Sequence, residues 1–332
     1  MQRAKVGWLC GLLLWYRKCF GEGPSDCCTS EVCIACVGLR RRSSLVKAST
    51  QWLEQSGGEW VGDAPRFGCA LLTNYTAEYV EWGEGPPLVL VPALAGGVGL
   101  VSRLAGCLAR HFRVISYQLR GEDDCFALRR HFGLDDLVDD LGEFIDCLGL
   151  ERPIICGVSL GGVLAVEYAA RRPLRVAGLV AQGVDVRFEP SLLREVAGRV
   201  LTGYPLPPDS PFVNQFFNLF FGGRQHNRVL FDFVTRQCWQ TDQSVMAHRF
   251  RLAEQVNLAP KLGRIRAPTL LAAGERDVLI SPRGLEELHA GIRGARLVRL
   301  PNAGHLAFVT HAQELADHIG VFTRWALAVE VA

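Results

Sequence analysis

Short runs apolar on both faces alternate with stretches of helical periodicity along most of this 332-residue chain, and that alternation sets the fold class. Leu88–Val91, Arg113–Tyr117, Ile154–Val158, Val176–Ala181, Thr269–Ala273 and Ala295–Leu300 read as strands, and a central strand covered on both sides needs such continuous apolar or β-branched runs. The helical period returns between them. It is seen over Leu100–Ala109, over Leu134–Leu148 through Leu137, Leu141, Phe144, Ile145 and Leu148, after Gly162, near Gly284–Ala290 and over Gln313–Ala326. Strands separated by helices imply right-handed crossovers, hence an α/β fold with a mostly parallel sheet and helices on both faces. Cys69–Leu72 and Ala77–Trp82, joined by a turn at Asn74-Tyr75, add an antiparallel edge.

Two segments depart from the pattern. Between Asp185 and Leu262 the alternation stops, and Phe212, Phe216, Phe217, Phe220, Phe221, Phe231, Phe233 and Trp239 accumulate. The spacing predicts a helical insertion, about residues 186–262, lying over the carboxyl edge of the sheet with some of these rings facing a bound molecule. Residues 1–65 form a distinct extension with six of the twelve cysteines: Cys10, Cys19, Cys27, Cys28, Cys33 and Cys36. They read as a poorly ordered tail, because the Cys33/Cys36 pair has neither a second spaced pair nor a βαβ context. The apolar stretch Val6–Tyr16 after Arg3 and Lys5 falls short of the ~20 residues a spanning helix needs, and no small-residue cleavage pattern follows it. A cytoplasmic protein is expected, with a shallow membrane anchor through this segment, or export, as the readings that stay open. The six cysteines beyond the extension, Cys156 among them, read as buried free thiols.

A net charge of +2, with no basic stripe interleaved with aromatics, excludes a nucleic-acid partner. Oligomeric state leaves no trace in the sequence. The acids Asp135, Asp136, Asp139 and Asp140 belong to the first turns of a helix, where the dipole favours them, and read as a solvated face rather than a metal site. Thr310 and Gln313 have capping-box spacing.

Gly157-Val158-Ser159-Leu160-Gly161-Gly162 lies where the Ile154–Val158 strand turns into a helix. In a chain with 35 glycines the pattern takes its meaning from this context. A serine on a sharp strand–helix turn presents its hydroxyl at the sheet edge, and flanking glycines let strand and helix pass closely. The alternative is an ordinary helix N-cap serine. Serine needs a base and the base an orienting acid. Asp277 follows the Thr269–Ala273 strand and His305 follows Ala295–Leu300, both at carboxyl strand ends where a parallel sheet places its site. Asp185, after Val176–Ala181, is the rival acid.

Residues 66–330 resemble the α/β-hydrolase superfamily, in particular its lidded single-domain serine hydrolases. The matching segments are Leu88–Val91 followed by Pro92-Ala93-Leu94-Ala95-Gly96-Gly97, the Leu119-Arg120-Gly121 turn, the turn at Ser159, and the Gly274–Asp277 and Gly304-His305 loops. The resemblance implies Ser159 as nucleophile, His305 as base and then acid, Asp277 as the group fixing the imidazole, and the Leu94 and Leu160 backbone N–H groups as an oxyanion hole. It implies no cofactor and no metal. Pro92-Ala93 stands where the family shows His-Gly, and Gln118 where it shows aspartate.

The expected activity is hydrolysis of a carboxylic ester or related acyl bond of a small, partly apolar substrate, through an acyl-enzyme on Ser159. Two alternatives stay open: an acyltransferase of the same fold, and a non-catalytic protein that keeps the pocket for ligand binding.

Overall fold

The computed structural model describes residues 64–122, 131–188, 192–203, 211–224 and 227–331. The expectations for the N-terminal extension, and for Cys125, concern residues outside this set. Eight strands form one sheet: β1 (Arg66–Leu71), β2 (Thr76–Trp82), β3 (Pro87–Val91), β4 (Arg113–Tyr117), β5 (Ile154–Val158), β6 (Gly178–Gln182), β7 (Thr269–Gly274) and β8 (Arg296–Leu300). Their spatial order is β1-β2-β4-β3-β5-β6-β7-β8. β1 pairs with β2, and β2 with β4, antiparallel, while every pairing from β4 onward is parallel. The expected architecture holds, including its antiparallel edge.

Helices α1 (Gly97–Leu108), α2 (Leu134–Cys147) and α3 (Leu160–Arg171) are the crossovers around β3, β4, β5 and β6. Between β6 and β7 come α4 (Leu192–Gly203), α5 (Pro211–Phe220), α6 (Arg228–Cys238), α7 (Gln243–Glu254) and a 3-10 turn, Ala259–Arg264. Helices α8 (Pro282–Gly291), α9 (Ala307–Thr310) and α10 (Ala312–Val331) follow β7 and β8. Among the described residues no helix is long and apolar enough to cross a membrane.

Two apolar layers sandwich the sheet, and strand periodicity sorts residues between them. Leu88 and Leu90 join a cluster with Leu104 of α1 and Leu315 and Ile319 of α10; Val89 and Val91 join another with Leu137 and Phe144 of α2 and Leu164 of α3. Successive strand side chains point to opposite faces, so a strand buried on both sides has to be apolar throughout.

Three readings need correcting. Asp140 is not on a solvated face: it is buried and accepts two hydrogen bonds from Arg120, at 2.5 and 2.9 Å. Burial pushes its carboxyl above the usual carboxylate range, and the guanidinium of the Arg-Gly turn, in place of water, offsets part of that cost. Asp136 does serve its helix, accepting from the Gly133 N–H at 2.7 Å, and Asp135 pairs with Arg171. Thr310 forms no capping box, because its hydroxyl donates to the Leu306 carbonyl while Gln313 pairs with Asp317. Of the cysteines, Cys156 and Cys238 are buried as expected, but Cys69, Cys107 and Cys147 are half-buried. Burial pushes the Cys156 and Cys238 thiols up to about 12. Iodoacetamide on the native protein is therefore expected to spare Cys156 and Cys238, since the thiolate is the reactive form; peptide mapping by mass spectrometry checks this.

Candidate active site

β5 ends at Val158, α3 begins at Leu160, and Ser159 makes the turn at φ 53° and ψ −120°. Such a conformation costs a non-glycine residue on the order of 1–3 kcal/mol and persists only where its surroundings enforce it. They do so here by close approach. A Cβ on Gly157 would lie 2.1 Å from the Gly161 carbonyl oxygen, and one on Gly161 would lie 2.2 Å from that of Val91. The Ser159 N–H donates to the Gln182 carbonyl of neighbouring β6 at 2.8 Å. Its side chain makes no capping bond to α3, so the N-cap alternative does not describe it.

The Ser159 hydroxyl instead meets His305. Oγ lies 2.8 Å from Nε2, and Nδ1 lies 2.9 Å from Asp277 Oδ2. An ionised carboxylate only accepts hydrogen bonds, so Nδ1 carries the imidazole proton, Nε2 is left with its lone pair, and the serine O–H donates to it. Asp277 is held at its other oxygen too, where Oδ1 accepts from the Leu279 N–H at 2.9 Å. Imidazole and carboxylate are almost completely shielded, with 9% and 2% of their side chains exposed. Asp185 has a different task. Its Oδ2 accepts from the Ser281 N–H at 2.8 Å, at the start of α8, and lies 3.8 Å from Arg194.

Leu94, Leu160, Ser159 and His305 line one cavity of about 110 Å³, with Val163, Phe188, Phe250 and Ile280 among its apolar walls. The expected aromatic contribution is thus real, but from other rings. Phe217, Phe221 and Phe233 pack into the protein core, and the Phe220 ring lies 6.5 Å from that of His305; the Phe212 side chain lies outside the described set. Phe188 and Phe250 stack edge-on at 5.5 Å and form the wall. They escaped notice because they are isolated in sequence. Among the described residues no three His, Cys, Asp or Glu side chains gather as a metal site.

Sequence reasoning missed several supporting residues. Gln182, at the end of β6, donates from Nε2 to the His305 carbonyl at 3.2 Å. A polar residue closing a strand otherwise apolar on both faces was the available signal. Arg249, Glu122 and Thr241 form a buried group beneath the Leu94 loop; nothing in the run His248-Arg249-Phe250-Arg251 distinguishes the first arginine from the second. Gln118 accepts from the Val98 N–H at 3.1 Å and so supports the start of α1.

Strand order, turn and side-chain array together define a class: an α/β fold whose carboxyl edge carries a hydroxyl, an imidazole and a carboxylate within hydrogen-bonding reach. The chain belongs to the alpha/beta hydrolase fold family, whose sequence profile matches residues 86–312. It is 29% identical over 269 residues to a pimeloyl-[acyl-carrier protein] methyl ester esterase of Nitrosospira multiformis, covering 74% of this chain and 98% of the relative. Among solved structures it resembles a hydrolase from Pseudomonas aeruginosa, with a TM-score of 0.68 and 25% identity over 78% of this chain and 99% of the other. The enol-lactonase of Burkholderia xenovorans shares the fold, with a TM-score of 0.67 at 24% identity over 76% and 98% of the two chains.

Proposed function

We propose that this protein is a serine hydrolase that cleaves carboxylic esters through an acyl-enzyme on Ser159. The observation that carries the reading is the unbroken run of hydrogen bonds from Ser159 Oγ through His305 to Asp277, at 2.8 and 2.9 Å. The esterase relative supports the choice of an ester over other acyl bonds.

In this reading Ser159 Oγ attacks the ester carbonyl while His305 Nε2 takes its proton, and Asp277 stabilises the imidazolium that forms. The carbonyl oxygen gains charge and is held by the Leu160 N–H, first in helix α3, and by the Leu94 N–H. Such donors act where charge develops, and each contributes on the order of 10²–10³ in rate. His305 then protonates the departing alcohol. Water, deprotonated by the same nitrogen, releases the acid and restores the serine. The apolar walls of the cavity, at about 110 Å³, suit acyl chains of modest length.

Purified protein assayed on p-nitrophenyl esters of graded chain length, with and without an alcohol acceptor, tests the proposal. Expected are turnover that falls off for the longest chains and free acid as the product; a dominant transesterified product would favour the acyltransferase alternative. No turnover of any ester, combined with equal fluorophosphonate labelling of wild type and Ser159→Ala, would overturn it in favour of a ligand-binding protein. The two acids give a sharper check. Asp277→Asn leaves His305 in the wrong tautomer and is expected to lower kcat by about 10⁴, whereas Asp185→Asn stays near the wild-type kcat.

A further inference from the structure

Arg249 of α7 is wholly buried, and its donors reach three places at once. Nη1 donates to the Leu94 carbonyl at 2.9 Å and to Glu122 Oε1 at 2.5 Å, and Nη2 donates to the Arg120 carbonyl at 2.8 Å. The Glu122 carboxylate, 5% exposed, also accepts from the Thr241 hydroxyl at 2.9 and 3.1 Å. The Thr241 oxygen in turn accepts from the Gly96 N–H at 2.9 Å. The loop after β3 is therefore tied on both sides of Ala95, at the Leu94 carbonyl and at the Gly96 N–H. Both ties end on one buried ion pair, whose arginine comes from the helical insertion.

A buried ion pair is a poor means of stabilising a fold, because desolvation offsets most of its attraction and apolar replacements of similar volume are often as stable. What it does supply is direction. An arginine fork has fixed geometry, so a carbonyl bound to it cannot swing. From these bonds we infer that Arg249, with Glu122 and Thr241, is a positioning group for the oxyanion loop: by fixing the Leu94 carbonyl and the Gly96 N–H it holds the backbone of Leu94 from its C-terminal side, so that the Leu94 N–H, in the preceding peptide unit, stays aimed at the carbonyl oxygen above Ser159. Both ties come from outside the loop, from Arg249 of α7 and from Thr241. This inference rests on the serine-hydrolase reading and adds to it the residues that build the hole.

The test replaces the pair by apolar residues of similar length, Arg249→Met with Glu122→Met, so that no buried charge is left unpaired. Expected are a circular dichroism spectrum and Tm close to wild type, an almost unchanged KM for a p-nitrophenyl ester, and a kcat lowered by about 10²-fold, the size of effect that a misplacement of about 1 Å produces. Binding of a trifluoromethyl ketone, which forms the oxyanion on Ser159, should weaken by the same factor as kcat. Thr241→Val removes the Gly96 tie together with the hydroxyl's bond to Glu122, and leaves the Arg249–Glu122 contact in place. It carries the same expectation in a smaller degree and serves if the double variant does not fold. A folded variant with wild-type kcat, or a loss carried wholly by KM, overturns the inference. Failure of wild type to turn over esters, or activity retained by Ser159→Ala, overturns the underlying reading instead, so the two failures are separable.

Discussion

Ser159→Ala is expected to lower kcat toward p-nitrophenyl esters on the order of 10⁶-fold while leaving the protein folded, because the hydroxyl is the atom that forms the covalent bond. His305→Ala should cost nearly as much, and the double variant little more than either alone. Residues that act as one unit are not additive, and the residual rate, on the order of 10³–10⁴ above water, belongs to the oxyanion hole and substrate binding. Neither change should unfold the protein. The serine makes no capping bond to its helix, and the histidine backbone is held independently by Gln182, which donates to the His305 carbonyl. Steady-state kinetics with active-site titration check the prediction. A loss confined to one of the two variants, or strictly additive losses, would show that hydroxyl and imidazole work separately.

The second large effect concerns the backbone. Gly161→Val places a Cβ 2.2 Å from the Val91 carbonyl oxygen and 2.3 Å from that of Pro92, at the point where helix α3 crosses the end of β3. Both obstacles are main chain, at the last residue of the central strand β3 and the residue after it, so neither can rotate away as a side chain could. The expected cost is about 4–5 kcal/mol or more, from the steric class of substitutions that exceed ordinary destabilisation. Against a total stability of roughly 5–15 kcal/mol that leaves little or no soluble folded protein. Gly263→Ala is the control, since a Cβ there meets nothing within 4 Å. Soluble expression and urea unfolding of the two variants separate the cases. A Gly161→Val protein with wild-type stability would mean that the turn at Ser159 is not held by this contact.

The strands and most helices were legible because burial on both faces leaves a mark on every residue of a strand. Ile154–Val158 and Thr269–Gly274 are buried throughout and apolar almost without exception. The site was legible for a related reason. Ser159, Asp277 and His305 each follow a strand of the same parallel sheet, so their chain positions already assign them to one edge. Asp185 also follows such a strand, and sequence could only rank it below Asp277. Its capture by the start of α8 depends on where that helix packs.

Local sequence, then, determined the strand–helix alternation, the edge at which the functional groups emerge and the sharp turn at Ser159, because these follow from periodicity and from the absence of β-carbons at short range. The tertiary structure alone decided which rings line the cavity, what Asp140 pairs with and how the Leu94 loop is held. Arg249 reaches Leu94 across 155 residues of chain, and Phe188 meets Phe250 from the opposite end of the insertion. Contacts of that span are chosen by how whole elements pack. A buried arginine and an exposed one then look alike in the chain, although only the buried one must spend its hydrogen bonds on neighbouring backbone.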